Sequence, residues 1–284
     1  MELNRISACT YAVRDRDLDY TLKLITGAGI SKIDLWGGLP NYSNSPAECS
    51  ILAIKEKATR YDASIANLGT YAGRRLFEDG EAAEWTEMSR AIDNAVALGA
   101  RSIRVCPGRG EDVGIIPDLI PFFRRAAEYA AAKGVFLGME NHMGSIAGNP
   151  DAVMRLVRAV DSPYFGILFE PANLVHCGVD YYAAYAAFKG SIVHVHVKDC
   201  YTSAGQYERC MLGDGMIDYA WLVGALEADG YKGDYALEYE IEKVIPIETG
   251  LPRWLQHFRT LKLSTKPATR PAHAAPTAGS KATH

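Results

Sequence analysis

The sequence predicts an α/β fold in which parallel strands and their helices close into a (β/α)8 barrel. Three observations predict it. Short β-rich segments alternate with amphipathic helical segments along nearly the whole chain. Eight such units fit between residues 5 and 263, a length that one α/β barrel fills as a single domain. The later strands carry bulky apolar side chains on one face and ionisable ones on the other, as the two faces of a closed parallel sheet require near its C-terminal mouth.

Taken in order, residues 5–11 (R-I-S-A-C-T-Y) read as a strand. Residues 17–28 read as a helix, with Leu18, Leu22 and Ile25 on one face and Gly27 and Gly29 stopping it. Strands at 31–36 and 63–70 flank a helix over 46–61. A long amphipathic helix spans 81–98 and ends at Gly99, a strand occupies 102–107, and a helix over 117–133 closes at Gly134. The second half repeats the rhythm: strand 135–141, helix 150–160, strand 165–171, helix 180–188, strand 192–199. A longer loop is expected over 200–217, then helix 218–229, strand 234–240, and a last helix from about Gly250 to Leu263 with Pro252 in its first turn. An open doubly wound sheet lacks its usual support, since no G-x-G-x-x-G follows the first strand. Residues 264–284 hold no large apolar side chain and are expected to form a disordered low-complexity tail, so its His273 and His284 are poor ligand candidates.

Composition excludes several classes of function. Apolar residues make up 48% and charged ones 23%, ordinary for a globular protein, and the net charge of −4 argues against a nucleic-acid or acidic-membrane partner. No apolar run approaches the roughly 20 residues of a membrane span. Cys9, Cys49, Cys106, Cys177, Cys200 and Cys210 are scattered without a C-x-x-C pair, and residues 1–10 do not resemble a signal peptide; both point to reduced thiols and a cytoplasmic protein.

The stretch 192–199 (I-V-H-V-H-V-K-D) is the most informative. Val193, Val195 and Val197 share one face, while His194, His196 and Lys198 share the other. The same parity test on three neighbouring strands sets Glu140, Glu170 and Glu238 on the matching face near each C-terminal end. Four strands therefore aim Glu140, Glu170, His196 and Glu238 into one mouth. Three carboxylates in a partly dry site raise one another's pKa unless a cation neutralises them. An oxygen-rich set with one imidazole suits Mn²⁺, Mg²⁺ or Co²⁺ better than a structural Zn²⁺.

The order of E-N-H at 140–142, H-V-H-V-K-D at 194–199, G-D-G-x-I-D at 213–218 and A-L-E-Y-E at 236–240 resembles the xylose isomerase-like TIM barrel superfamily of sugar isomerases and epimerases, over residues 1–263. The resemblance implies a single divalent metal, often Mn²⁺, held by Glu140, Glu170, His196 and Glu238. It also implies Glu140 and Glu238 as an acid/base pair, and a homo-oligomer. The chain departs from it twice: Glu170 stands where Asp is common, and Asn173 where many members place a substrate-binding His.

Such a site implies a metal-dependent isomerase or epimerase acting on a sugar or polyol through a cis-enediolate. His142, Lys198, Asn173 and the aromatic Trp36 are the candidate substrate contacts. Arg109 in P-G-R-G suits a phosphate, but no further basic cluster in the sequence points to a phosphorylated substrate. Dehydration of an inosose-like substrate and cleavage of a C-glycoside use the same enolate chemistry. An abasic-site nuclease would need further ligands and a basic groove. A non-catalytic sugar-binding barrel is the alternative of a different class.

Overall fold

The computed structural model of the chain describes residues 2–266. Eight parallel strands close a barrel: β1 (Ile6–Cys9), β2 (Lys32–Trp36), β3 (Ser64–Gly69), β4 (Ser102–Val105), β5 (Phe136–Glu140), β6 (Phe165–Phe169), β7 (Ile192–Val197) and, after a separate hairpin of β8 (Asp199–Ser203) and β9 (Gln206–Cys210), β10 (Tyr235–Leu237). Strands pair in sequence order from β1 to β7. The ring shuts where β10 lies between β7 and β1, with Ala236 opposite His196 on one side and Ser7 on the other.

Side-chain alternation sets the two layers. Val195 and Val197 pack under the helices, while His194, His196 and Lys198 are equally buried on the inner side. Low in the barrel the inner face is cleared by glycine. A Cβ on Gly138 would approach Leu168 and Val193 to 3.2 and 3.1 Å, so a larger residue would crowd the barrel floor. Val193, expected on the outer face with Val195 and Val197, turns inward instead, because the register between β6 and β7 shifts at this point.

The helices begin and end where their sequences provide caps. Asp17 accepts from the Tyr20 amide, Ser50 from Ala53, Asn149 from Asp151 and Ala152, and Asp218 from Trp221. Glu81–Leu98 and Ile116–Lys133 both end on a glycine in the left-handed region, Gly99 and Gly134. Ala126, Ala127 and Ala130 are wholly buried, giving the second of these helices a narrow face that sits close on the sheet.

Four further expectations are corrected. The helix placed over 46–61 begins only at Ile51, because Ser50 caps it and residues before it form turns. The expected loop over 200–217 starts with the β8–β9 hairpin, turned by Ala204 and Gly205 at φ of 51° and 79°. The last helix spans Ile247–Arg259, so Pro252 lies inside it rather than in its first turn. A short helix, Pro171–His176, follows β6, with the Glu170 carboxylate accepting at its N-terminus. The expected tail lies mostly outside the described residues. Ser264 still donates its amide to the Ala220 carbonyl at 3.0 Å.

Candidate metal centre and active site

Four side chains converge at the C-terminal mouth. Glu140 ends β5, Glu170 follows β6, His196 lies on β7 and Glu238 follows β10, and one donor atom from each lies within 4.8 Å of the others. All four residues are buried. From His196 Nδ1 the distances are 3.6 Å to Glu140 Oε1, 3.7 Å to Glu170 Oε2 and 3.5 Å to Glu238 Oε2. Good hydrogen bonds are shorter than this. Donor atoms sharing a divalent ion, each about 2.1 Å from it, stand about 3.0–3.4 Å from one another. Glu170 Oε2 and His196 Nδ1 are buried without a hydrogen-bond partner among the described residues. The donor set and its two orphaned atoms therefore fit a divalent cation.

The other nitrogen of His196 defines which atom faces the cluster. His196 Nε2 lies 3.0 Å from Asp34 Oδ2, and His194 Nε2 lies 2.7 Å from the same oxygen. Burial opposes a charged Asp34, but hydrogen bonds from the two imidazoles outweigh it and hold the carboxyl well below the usual range. A carboxylate only accepts, so both Nε2 atoms donate. His196 Nδ1 is then left either as a bare lone pair among three acids or as a second N–H. Burial alone would lower the His196 pKa, but Glu238, Asp34 and Glu140 outweigh it and raise it well above the ordinary value. A cation bound among the acids would take the place of that proton.

Neighbouring charges sort the carboxylates. Burial would raise Glu140, but the Arg104 guanidinium, 3.0 Å away, and His196 outweigh it and hold the carboxyl at about 2. Burial would also raise Glu238, but Lys198 at 2.7 Å and His196 keep it well below its usual range. Glu170 goes the other way: burial and the charge on Glu238 push it well above, despite Lys198 at 3.5 Å. Lys198 also meets Glu240 at 3.0 Å, and Glu240 meets Arg209 of the hairpin at 2.8 Å. Lys198 thus reaches Glu240 rather than Asp199, its neighbour in the chain. Asp199 instead accepts four main-chain N–H groups, from Cys200, Gly213, Gly215 and Ile217, at 2.9–3.2 Å. The G-D-G-x-I-D stretch is thus the return path of the hairpin, and Gly215 leaves room for the Asp199 carboxylate against its backbone.

The remaining candidates are spread around the rim. Trp36 is half-buried, donates from Nε1 to the Tyr71 hydroxyl at 3.0 Å and stands edge-on to Tyr11. His142 is exposed, its Nδ1 2.8 Å from the Met143 carbonyl, and lines a cavity of about 320 Å³ together with Glu140 and Arg104. Asn173 is buried with its amide aimed at the Asn141 carbonyl at 3.3 Å, so its hydrogen bond goes to the backbone of the Glu140 strand. Asn141 in turn both donates to the Glu170 carbonyl and accepts from its amide, at 2.7 and 2.8 Å.

Sequence reasoning missed Asp34, Arg104 and Asn141. The first two carried a signal: Asp34 opposes Ile33 and Leu35, and Arg104 opposes Ile103 and Val105, the parity that marked the acids. Asn141 carried none, because it lies past the end of its strand and its side chain meets the main chain of Glu170.

Among the described residues no helix is long and apolar enough to cross a membrane. An inosose dehydratase of Geobacillus thermodenitrificans is 28% identical over 150 residues, 47% of this chain and only half of that relative's length. An inosose dehydratase of Lactiplantibacillus plantarum is 23% identical over 264 residues, covering 83% of this chain and 86% of the relative. The solved structure of an L-ribulose 3-epimerase superposes with a TM-score of 0.71 at 19% identity, covering 92% of this chain and 95% of that one. The model of the xylose isomerase-like TIM barrel family matches residues 22–261, and the chain belongs to that family.

Proposed function

We propose that the chain is a divalent-metal-dependent enzyme that removes the proton beside the carbonyl of a ketose or related polyol, acting as a sugar isomerase or epimerase through a cis-enediolate. The carrying observation is the buried set of Glu140, Glu170, His196 and Glu238, with orphaned donor atoms turned toward one another. These four are the proposed ligands, with Mn²⁺ the first choice and Mg²⁺ or Co²⁺ next. A bound divalent ion supplies Lewis acidity at a carbonyl and its neighbouring hydroxyl.

The proton work falls to the chain itself. Glu140 and Glu238 come from the outermost of the four contributing strands, β5 and β10, and so flank the cluster from its two ends. A planar enediolate between them presents one face to each, so one carboxylate removes a proton and the other returns it. Arg104 and Lys198 keep the pair ionised before substrate arrives. Lys198 holds its proton and donates to oxygen as charge develops there. Trp36 offers a flat wall to a sugar face, His142 a ring nitrogen to a hydroxyl, and Asn173 steadies the Glu140 strand from behind.

A second reading is favoured by the two relatives named inosose dehydratase. The same proton abstraction followed by loss of the β-hydroxyl gives a dehydratase, with the Lys198 ammonium beside Glu238 as the donor that lets the hydroxyl leave as water. Incubating Mn²⁺-loaded protein in D₂O with a panel of ketoses and inososes tests both. Deuterium in recovered sugars supports the isomerase or epimerase, whereas an unsaturated product supports the dehydratase. The absence of both exchange into any C–H position and an unsaturated product overturns the enolising reading and leaves a sugar-binding barrel.

A further inference from the structure

The cavity beside Glu140 carries a charge imbalance that proton chemistry leaves unexplained. Its walls include Arg74, Arg104, Arg109 and His142, with Glu140 as their one carboxylate counterpart. The three arginines come from different loops or strands, which is why no basic run is visible along the chain. Arg104 is spent: it reaches Glu140 and donates to the Thr70 and Gly69 carbonyls at 3.0 and 3.4 Å.

Arg74 and Arg109 are differently placed. Arg74 is exposed and has no ion-pair partner among the described residues; its guanidinium sits 5.2 Å from the centre of the Tyr71 ring. The buried Arg104 guanidinium sits 4.2 Å from the same ring. Two like charges on one ring repel, and Glu140 meets only that of Arg104. Arg109 meets Glu78 at 3.2 Å, but both side chains are largely exposed. An exposed pair of this kind contributes about 0–1 kcal/mol, so a bound anion displaces it at little cost.

We infer that this cavity takes the anionic end of the substrate. Building on the proposed function, the substrate class becomes a small ketose or polyol bearing an oxyanion, carboxylate or phosphate. Its carbonyl lies at the acid cluster and its charged end lies toward Arg74 and Arg109. Guanidinium forks suit either oxyanion, since both offer paired oxygens. A volume of about 320 Å³ holds one sugar-sized unit and its acid group.

Metal-free full-length protein, freed of cation by chelator and dialysed, is titrated calorimetrically with inorganic phosphate and with D-gluconate. At least one probe binds, binding weakens on adding salt, and Arg74→Gln and Arg109→Gln each weaken it about tenfold. The tighter probe assigns the oxyanion. Arg60→Gln, at an exposed arginine paired with Asp19 away from this cavity, binds as the unaltered protein does. The inference is overturned if neither probe binds, if the two variants bind unchanged, or if Arg60→Gln weakens binding equally. Deuterium exchange by Mn²⁺-loaded protein with D-fructose and D-fructose 6-phosphate separates this inference from the reading beneath it. Equal kcat/KM for the two sinks the anion preference and spares the enolising chemistry. Exchange with neither counts against the chemistry, while the metal-free titration still decides the pocket.

Discussion

At the scale of single residues, the site depends on what holds His196 rather than on His196 alone. Asp34→Asn keeps the size of the side chain but lets an amide face Nε2, so neither imidazole is held in one tautomer. Divalent-metal affinity should fall about 10- to 100-fold, measured by calorimetry, with the far-ultraviolet spectrum unchanged. Glu170 makes a sharper case. It is wholly buried and, without a cation, its charge is opposed by burial and by Glu238. Glu170→Gln should therefore raise the melting temperature of metal-free protein by a few degrees while abolishing the stabilisation that added Mn²⁺ gives the unaltered chain. That stabilisation is about 2.7 kcal/mol at a hundredfold excess over Kd. A lower melting temperature for the metal-free variant would mean that Glu170 is structural. The acids were legible in the sequence because β-strand alternation turns residue parity directly into direction. Asp34 and Arg104 obey the same parity on β2 and β4 and were open to the same test. Asn141 and the role of Asp199 were not legible, since hydrogen bonds from side chains to the main chain follow no period.

At the scale of elements, the β8–β9 hairpin shows where periodicity fails. All of the Gln206–Cys210 strand is exposed or half-buried, so neither face is forced to be apolar and the segment reads as a polar loop. What holds it is local: the four main-chain donors on Asp199 and the stacking of Tyr207 on His176 at 4.3 Å. Asp199→Ala leaves those donors without their acceptor. It should destabilise the protein by about 2–4 kcal/mol in urea and speed amide exchange through residues 199–217. The turn is suboptimal for a different reason. Ala204 adopts φ of 51°, a region that asparagine tolerates better. Ala204→Asn should slow amide exchange in the hairpin by about threefold; faster exchange would show that the turn gains nothing from asparagine. The helices were read more accurately than this hairpin. Glu81–Leu98 and Pro150–Val160 begin and end where the sequence placed them, because caps, glycines and a long apolar stripe agreed.

At the scale of the whole molecule, the barrel was visible as eight repeated units, and its closure follows from the pairing of β10 with β1. The last helix seals that seam. Trp254 on it is fully buried and packs edge-on against Tyr239 at 5.0 Å between ring centres. Trp254→Ala should cost about 3–5 kcal/mol of stability, read from urea denaturation, because the neighbouring strands cannot collapse into the space left behind. The proposed ligands all come from one run of the ring: β5, β6, β7 and β10. Arg74 and Arg109 belong to the connections after β3 and β4. Substitutions at these two loop positions can therefore redraw the guest list while the strand residues that would grip the ion stay as they are, and a lineage can try new substrates without relearning its chemistry.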